Sequence, residues 1–189
     1  MSNKDFRYTP FYCEENIWYL AQEECFHGRE AFVAIISGKG NHRRLWFQRQ
    51  AQDHESPVYW DYHVVLLVYD GDWRVWDLDT TLGLPVPADI YFQKTFLNSG
   101  INRENCDVIL RLIDSGSYVR SFSSDRSHMR SPTGDWLAPP PEWPRILQGG
   151  KSNLLEWLDV DRDDPGQVKT LAEFMSKFIT TDPRNWANK

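Results

Sequence analysis

The chain has 189 residues, 41% of them hydrophobic, enough for one domain of ordinary size to bury a continuous core. Its net charge of -6 and isoelectric point near 5.3 exclude a phosphate-tracking surface of clustered Lys and Arg, so nucleic acid is not an expected partner and a positively charged one fits better. Three Cys in irregular spacing exclude a disulfide framework and point to a reducing compartment, with Cys25 and Cys106 expected as buried, inert thiols.

The amino-terminal residues 1–7 carry no apolar leader core, and no stretch reaches membrane-spanning length, which predicts a cytosolic or nuclear protein without a membrane partner. The first helix is predicted from Cys13 to Glu24, because Cys13, Ile17, Leu20 and Ala21 recur at i, i+4, i+7 and i+8. Residues 31–36 read as an apolar strand ended by Ser37-Gly38-Lys39-Gly40, with residues 44–48 as its hairpin partner. Residues 58–69 carry the longest strand signal, and Asp70-Gly71-Asp72 turns it back into residues 73–78. A short helix over 91–96, a strand over 108–113 and a polar, loop-like stretch over 118–129 follow. Pro139-Pro140-Pro141 and Pro144 exclude regular structure locally. Thr170-Leu171-Ala172-Glu173 has the spacing of a capping box opening an amphipathic helix through Phe174 and Phe178. No internal repeat or break in composition divides the chain, so residues 1–189 are expected to form a single domain.

Cys13 stands where Thr9-Pro10-Phe11-Tyr12 gives way to the helical run, so unpaired N–H groups and the positive helix end would favour a thiolate there. Glu14 and Glu15 oppose this unless their side chains point into solvent. A nucleophile also needs a base and a group that orients the base. Downstream, Trp60-Asp61-Tyr62-His63 and Val75-Trp76-Asp77-Leu78-Asp79 supply them. If Asp70, Gly71 and Asp72 form a three-residue loop, His63 lies opposite Asp79 and diagonal to Asp77 on one face; a two- or four-residue loop would turn both acids to the other face. Spacing leaves the choice between Asp77 and Asp79 open. Cys25, His27, His42, His54 and His128 lack the paired spacing of a zinc site, so no metal is expected. The polar segment around Ser124-Asp125-Arg126 reads as a pocket wall, in which Asp125 either holds a cation or pairs with Arg126 or another basic group.

Several blocks then stand out together: Tyr12-Cys13-Glu14-Glu15-Asn16-Ile17-Trp18, Trp60-Asp61-Tyr62-His63-Val64-Val65-Leu66-Leu67, Asp77-Leu78-Asp79-Thr80, Ser124-Asp125-Arg126-Ser127-His128-Met129 and Pro139-Pro140-Pro141. In these the chain resembles the protein N-terminal glutamine amidohydrolases. The resemblance implies an α+β fold, an antiparallel sheet packed with helices in a papain-like or transglutaminase-like cysteine hydrolase architecture, acting as a monomer. It implies Cys13, His63 and Asp77 as the catalytic triad, selecting Asp77 over Asp79. It further implies deamidation of an N-terminal glutamine side chain through a γ-glutamyl thioester, with no cofactor, on proteins or peptides bearing a free N-terminal Gln, and a product that feeds the N-degron pathway. Asp61, Asp125 and backbone carbonyls are the candidates for holding the substrate's α-ammonium. The same residues leave open a papain-like peptidase, a transglutaminase, or a noncatalytic module that binds protein amino termini.

Overall fold

The computed structural model describes residues 6–40, 42–53, 55–97 and 107–178; His54, Cys106 and the tail from Thr180 to Lys189 lie outside the described residues. Its strands in chain order are β1 (Ala31–Ser37), β2 (Arg43–Leu45), β3 (Val58–Trp60), β4 (His63–Tyr69), β5 (Trp73–Trp76), β6 (Val86–Pro87), β7 (Ile109–Asp114) and β8 (Gln167–Thr170). Its main helices are α1 (Cys13–Leu20), α2 (Ala88–Leu97), α3 (Ser115–Ser121) and α4 (Leu154–Leu158). Six strands pair antiparallel in the order β6-β5-β4-β1-β7-β8, and β2 and β3 form a separate pair. This is a mixed α/β molecule built on an antiparallel sheet packed with helices.

The central strands read as continuous apolar runs because both faces are covered. On one face Val65, Leu67, Val75 and Leu110 meet Tyr91, Phe92 and Phe96 of α2, together with Phe174. On the other, Val33, Ile35, Val64 and Leu66 meet Ile17 and Leu20 of α1, Tyr118 of α3 and Phe122 just after it, and Trp157 of α4. Burying large side chains on both faces, at about 1.5–3 kcal/mol for each Val, Leu, Ile or Phe, holds the three layers together. Since β4 alternates, Val65 belongs to one layer and Val64 to the other, and His63 falls on the α2 side at the very start of the strand.

Several local expectations are corrected. The first helix stops at Leu20, and a single 3-10 turn, Glu24–Phe26, follows; only Phe26 is buried in it, which leaves Cys25 exposed rather than buried. Residues 58–69 are two strands, not one, because the chain breaks at Asp61, whose carboxylate accepts the Tyr62 N–H at 3.1 Å, and β3 joins a different sheet from β4. β2 accordingly pairs with β3 and not with β1. The stretch after residue 114 begins as α3, capped by the Asp114 carboxylate accepting the Ser117 N–H, before it becomes irregular. The capping box at Thr170 and Glu173 forms as expected, with both reciprocal bonds present. β8 and α4 have no counterpart in the sequence reading. No helix among the described residues is long and apolar enough to cross a membrane.

Candidate active site

α1 begins at Cys13, preceded by Phe11 with φ 68° and Tyr12 at the cap position, and no side chain caps its first turn. The opening N–H groups of α1 therefore have no intrahelical acceptor. Cys13 is 8% exposed, and Glu14 and Glu15 beside it are both fully buried rather than turned to solvent. The thiol lies 3.7 Å from Glu14 Oε2 and donates to it. Burial, then the charges of Glu14 and Asp79, push the thiol well above its ordinary value of 9.0, against a backbone hydrogen bond at Val64 that favours the thiolate. The expectation of a thiolate favoured by the helix start is thus outweighed in the free protein: burial first, then the buried carboxylates, win over the helix end, and the thiol rests protonated.

The hairpin takes the register that places the acids beside the imidazole. Tyr69 faces Trp73 and Leu66 faces Trp76, which leaves Asp70, Gly71 and Asp72 as the loop, with Gly71 at φ 81° where a side chain would be strained. Continued to the strand end, this register sets His63 against Asp79. His63 Nε2 and Asp77 Oδ1 are 3.0 Å apart, both side chains 1% exposed. Asp77 is itself fixed, accepting the Asp79 N–H at 2.9 Å on Oδ1 and the Tyr91 hydroxyl at 2.8 Å on Oδ2. Asp79 accepts the Tyr8 hydroxyl at 2.6 Å.

These surroundings drive the two acids apart. Burial pushes Asp77 up, but the charge of and hydrogen bond from His63 outweigh it and hold Asp77 below 3.8. Asp79 is raised above 3.8, by burial first and by the Asp77 charge, which exceed the opposing pull of His63. For His63, burial pulls the value down, yet the charge of and bond to Asp77 leave it above 6.5. Asp77 is therefore the ionised partner of His63. With Nε2 committed to Asp77, His63 Nδ1 is buried and has no hydrogen-bond partner. His63, Asp77 and Asp79 offer three ligand atoms within 4.8 Å of one another, the metal-competent group among the described residues, but the Asp77 oxygens and His63 Nε2 are already spent on hydrogen bonds.

Cys13 from the α1 layer and His63 from the sheet line one cavity of about 210 Å³ at the start of β4. Its other polar lining comes from Asp61, Tyr62, Asp79 and His128, and its apolar wall includes Phe11, Trp60, Leu137 and Leu155. Asp61 is exposed at the rim. Asp125 is not among the lining residues: its carboxylate accepts the Ser127 N–H at 2.9 Å, and the Ser127 hydrogen bonds hold it below the usual carboxylate range. Arg126 turns instead to Glu15, with two bonds of 2.7 Å, and Trp143 Nε1 adds a third donor at 2.7 Å. Sequence reasoning weighed Glu14 only as a charge opposing the thiolate and missed Tyr62 and His128 beside it. Glu14 binds the Tyr62 hydroxyl at 3.1 Å, and His128 Nε2 lies 3.2 Å from that hydroxyl and 3.3 Å from Glu14 Oε1. The usable signal was strand alternation, which puts Tyr62 on the opposite face from His63, toward α1.

Comparison with known proteins identifies the family. The family model described as N-terminal glutamine amidase matches residues 8–178. A protein of Bos taurus named protein N-terminal glutamine amidohydrolase is 37% identical over 179 residues, covering 90% of this chain and 86% of its own. The like-named Homo sapiens protein is 37% identical over 179 residues, covering 90% and 87%. That of Drosophila melanogaster is 34% identical over 182 residues, covering 92% and 89%.

Proposed function

The chain belongs to the N-terminal glutamine amidase family, and from that premise we propose that it hydrolyses the side-chain amide of a protein's N-terminal glutamine by a Cys-His-Asp mechanism. The observation that carries the mechanism is the unpartnered Nδ1 of His63, a residue that lines one cavity with Cys13, while Nε2 is locked to Asp77. Cys13 Sγ attacks the δ-carbon as its proton passes to His63 Nδ1, the nitrogen with a free lone pair. The imidazolium so formed is stabilised by Asp77, which its own hydrogen bonds prevent from turning away. The oxyanion develops beside the uncapped first turn of α1, where the Cys13 N–H serves as a donor.

Collapse of the tetrahedral species breaks the Cδ–N bond, His63 protonates the leaving nitrogen, and ammonia departs from a γ-glutamyl thioester. Water then attacks the thioester with His63 taking its proton, the C–S bond breaks, and glutamate and the thiol are regenerated. A helix-borne thiol and a strand-borne imidazole meeting at a sheet end support a papain-like or transglutaminase-like arrangement. On this reading a single-domain monomer acts in the cytosol or nucleus on proteins with a free N-terminal Gln, without a cofactor, and supplies the N-degron pathway.

The test is mass spectrometry, with ammonia assay, of matched peptides carrying N-terminal, acetylated or internal Gln. Conversion of the first alone to the acid supports the reading. Peptide-bond cleavage points to a peptidase, amine incorporation to a transglutaminase, and binding without ammonia release to a noncatalytic module.

A further inference from the structure

The Glu14 carboxylate is fully buried, and its Oε1 has no hydrogen-bond donor in place. Its neighbour in sequence, Glu15, is equally buried but is neutralised by Arg126. A buried carboxylate with neither a cation nor a full set of donors is costly, since removing such a charge from water is offset only by a well-made pair. The nearest basic group is His128, whose Nε2 lies 3.3 Å from Oε1 without a well-aligned bond and whose ring lines the cavity.

For a neutral His128 ring, the hydrogen-bond order selects the tautomer. Tyr62 gives its single proton to Glu14 Oε2. Nε2 of His128, 3.2 Å from the same hydroxyl oxygen and 3.3 Å from Glu14 Oε1, therefore sees two acceptors and carries the proton. Nδ1 is left as the ring's acceptor.

We propose that Glu14 and His128 together seat the α-ammonium of the substrate, His128 accepting from it at Nδ1 and Glu14 supplying the compensating negative charge behind the ring. The proposal rests on the deamidase reading and names the residues that limit it to free amino termini. Asp61 is a weaker seat because an exposed carboxylate binds an ammonium against full competition from water. Asp79 lines the cavity but is already engaged by the Tyr8 hydroxyl and a hydrogen bond from Gln50. An acylated terminus has no charge to give Glu14. Arrival of the ammonium has a second effect: it offsets the charge that most strongly keeps the Cys13 proton in place after burial itself, so the thiol becomes easier to ionise once the right substrate is bound.

The experiment compares an N-terminal Gln peptide with its des-amino counterpart, in which hydrogen replaces the α-amino group, in wild type and Glu14→Gln. The wild-type protein is expected to prefer the amino form by about 100-fold in kcat/KM, the scale of a desolvated charge contact. In Glu14→Gln the preference is expected to collapse to about threefold or less, the signature of direct coupling in a substrate–residue cycle. Equal losses for both substrates, with the preference intact, would mean that Glu14 is merely structural and overturn the proposal.

A second arm needs neither turnover nor a folded Glu14 variant. Titration calorimetry of the Gln peptide into Cys13→Ala and into Cys13→Ala/His128→Ala should show affinity falling by about tenfold or more with the second change. Unchanged affinity overturns the seat. Because this arm reads binding alone, it separates failure of the seat from failure of the wild-type protein to release ammonia.

Discussion

Two acid–imidazole pairs border the same cavity. His63 and Asp77 lie 3.0 Å apart at 1% exposure, and Asp77 takes two further donors, from the Asp79 backbone and Tyr91. His128 and Glu14 lie 3.3 Å apart without good alignment, and Glu14 Oε1 stays unpaired. A saturated pair holds one orientation, which suits a base that must keep its lone pair on a thiol through each cycle. An incomplete pair keeps interaction capacity for a group that arrives from outside. Under the proposed mechanism the first pair serves chemistry and the second recognition, and substitutions along this contrast should separate rate from binding.

The largest break is expected at the thiol both pairs surround. Cys13→Ala should lower kcat by about 10⁶-fold, the scale seen when a catalytic nucleophile is removed, while changing stability by only about 1 kcal/mol. Single-turnover kinetics and urea unfolding of the same sample test both halves. Unfolding of the variant would return Cys13 to the role of a packing residue.

Next comes the saturated pair. Asp77→Asn should cost about 10⁴-fold in kcat, by analogy with the serine-protease triad, because an amide at this position favours the wrong imidazole tautomer. Asp79→Asn should cost far less, its carboxyl being raised above 3.8 and bonded to Tyr8 rather than to His63. The pH profile carries a sign. His63 must be neutral to accept the thiol proton, and its value is raised above 6.5, so the acid limb of kcat/KM should lie above pH 6.5. Deleting the Asp77 charge should move that limb to lower pH, and a limb that stays put would detach Asp77 from the base.

How much of this was legible in the sequence follows the range of the forces involved. The saturated pair sits on a hairpin, where a three-residue loop and a period of two fix which side chains share a face, and that register holds. The other pair joins Glu14 to His128 across more than a hundred residues, and no local period encodes such a meeting. The sequence left open whether Glu14 and Glu15 bear on the thiol or turn into solvent, where acids usually lie. The break at Asp61 hid in an unbroken β-rich run, and the pairing of β2 with β3 depended on which distant strand was left without a neighbour. The antiparallel sheet packed with helices and the meeting of His63 with the Asp77–Asp79 strand end were readable; the partners of the buried acids were not.

The third test sets Glu15 against Glu14. Glu15 has its cation, with bonds of 2.7 Å from both Nε and Nη2 of Arg126. Arg126→Met strands that charge in the interior and should cost about 3–5 kcal/mol in urea unfolding. His128→Ala, beside the incomplete pair, should cost about 1 kcal/mol or less. Equal costs would erase the distinction between structural and recognition acids.

A smaller effect concerns the thiol itself. With Cys13 raised well above 9.0 and Cys25 exposed, iodoacetamide in the free protein should label Cys25 first, and the Cys13 rate should still be climbing past pH 9. Burial sets this first, then the charges of Glu14, Asp79 and Asp77, so Glu14→Gln should speed Cys13 labelling by about tenfold at fixed pH. No acceleration would mean that burial alone holds the proton.

The smallest expected effect separates the two acids that sequence put forward for the substrate. Asp61 stands at the cavity rim, exposed, and its carboxylate also accepts the Tyr62 N–H at 3.1 Å. Asp61→Asn keeps that bond and removes only a solvent-screened charge, so KM should rise by about 1.4- to fivefold, the range of an exposed ion pair worth about 0.2–1 kcal/mol. Asp125 is spent on the Ser127 N–H and does not line the cavity. Asp125→Asn retains the acceptor and should leave kcat and KM within about twofold of wild type, whereas Asp125→Ala loses the turn bond and about 0.5–1.5 kcal/mol of stability. Steady-state kinetics on an N-terminal Gln peptide, paired with urea unfolding, resolve the three variants. If Asp125→Asn raised KM more than Asp61→Asn at unchanged stability, the ammonium would have to sit on the Asp125 side of His128, and the buried Glu14 charge would be left without its proposed use.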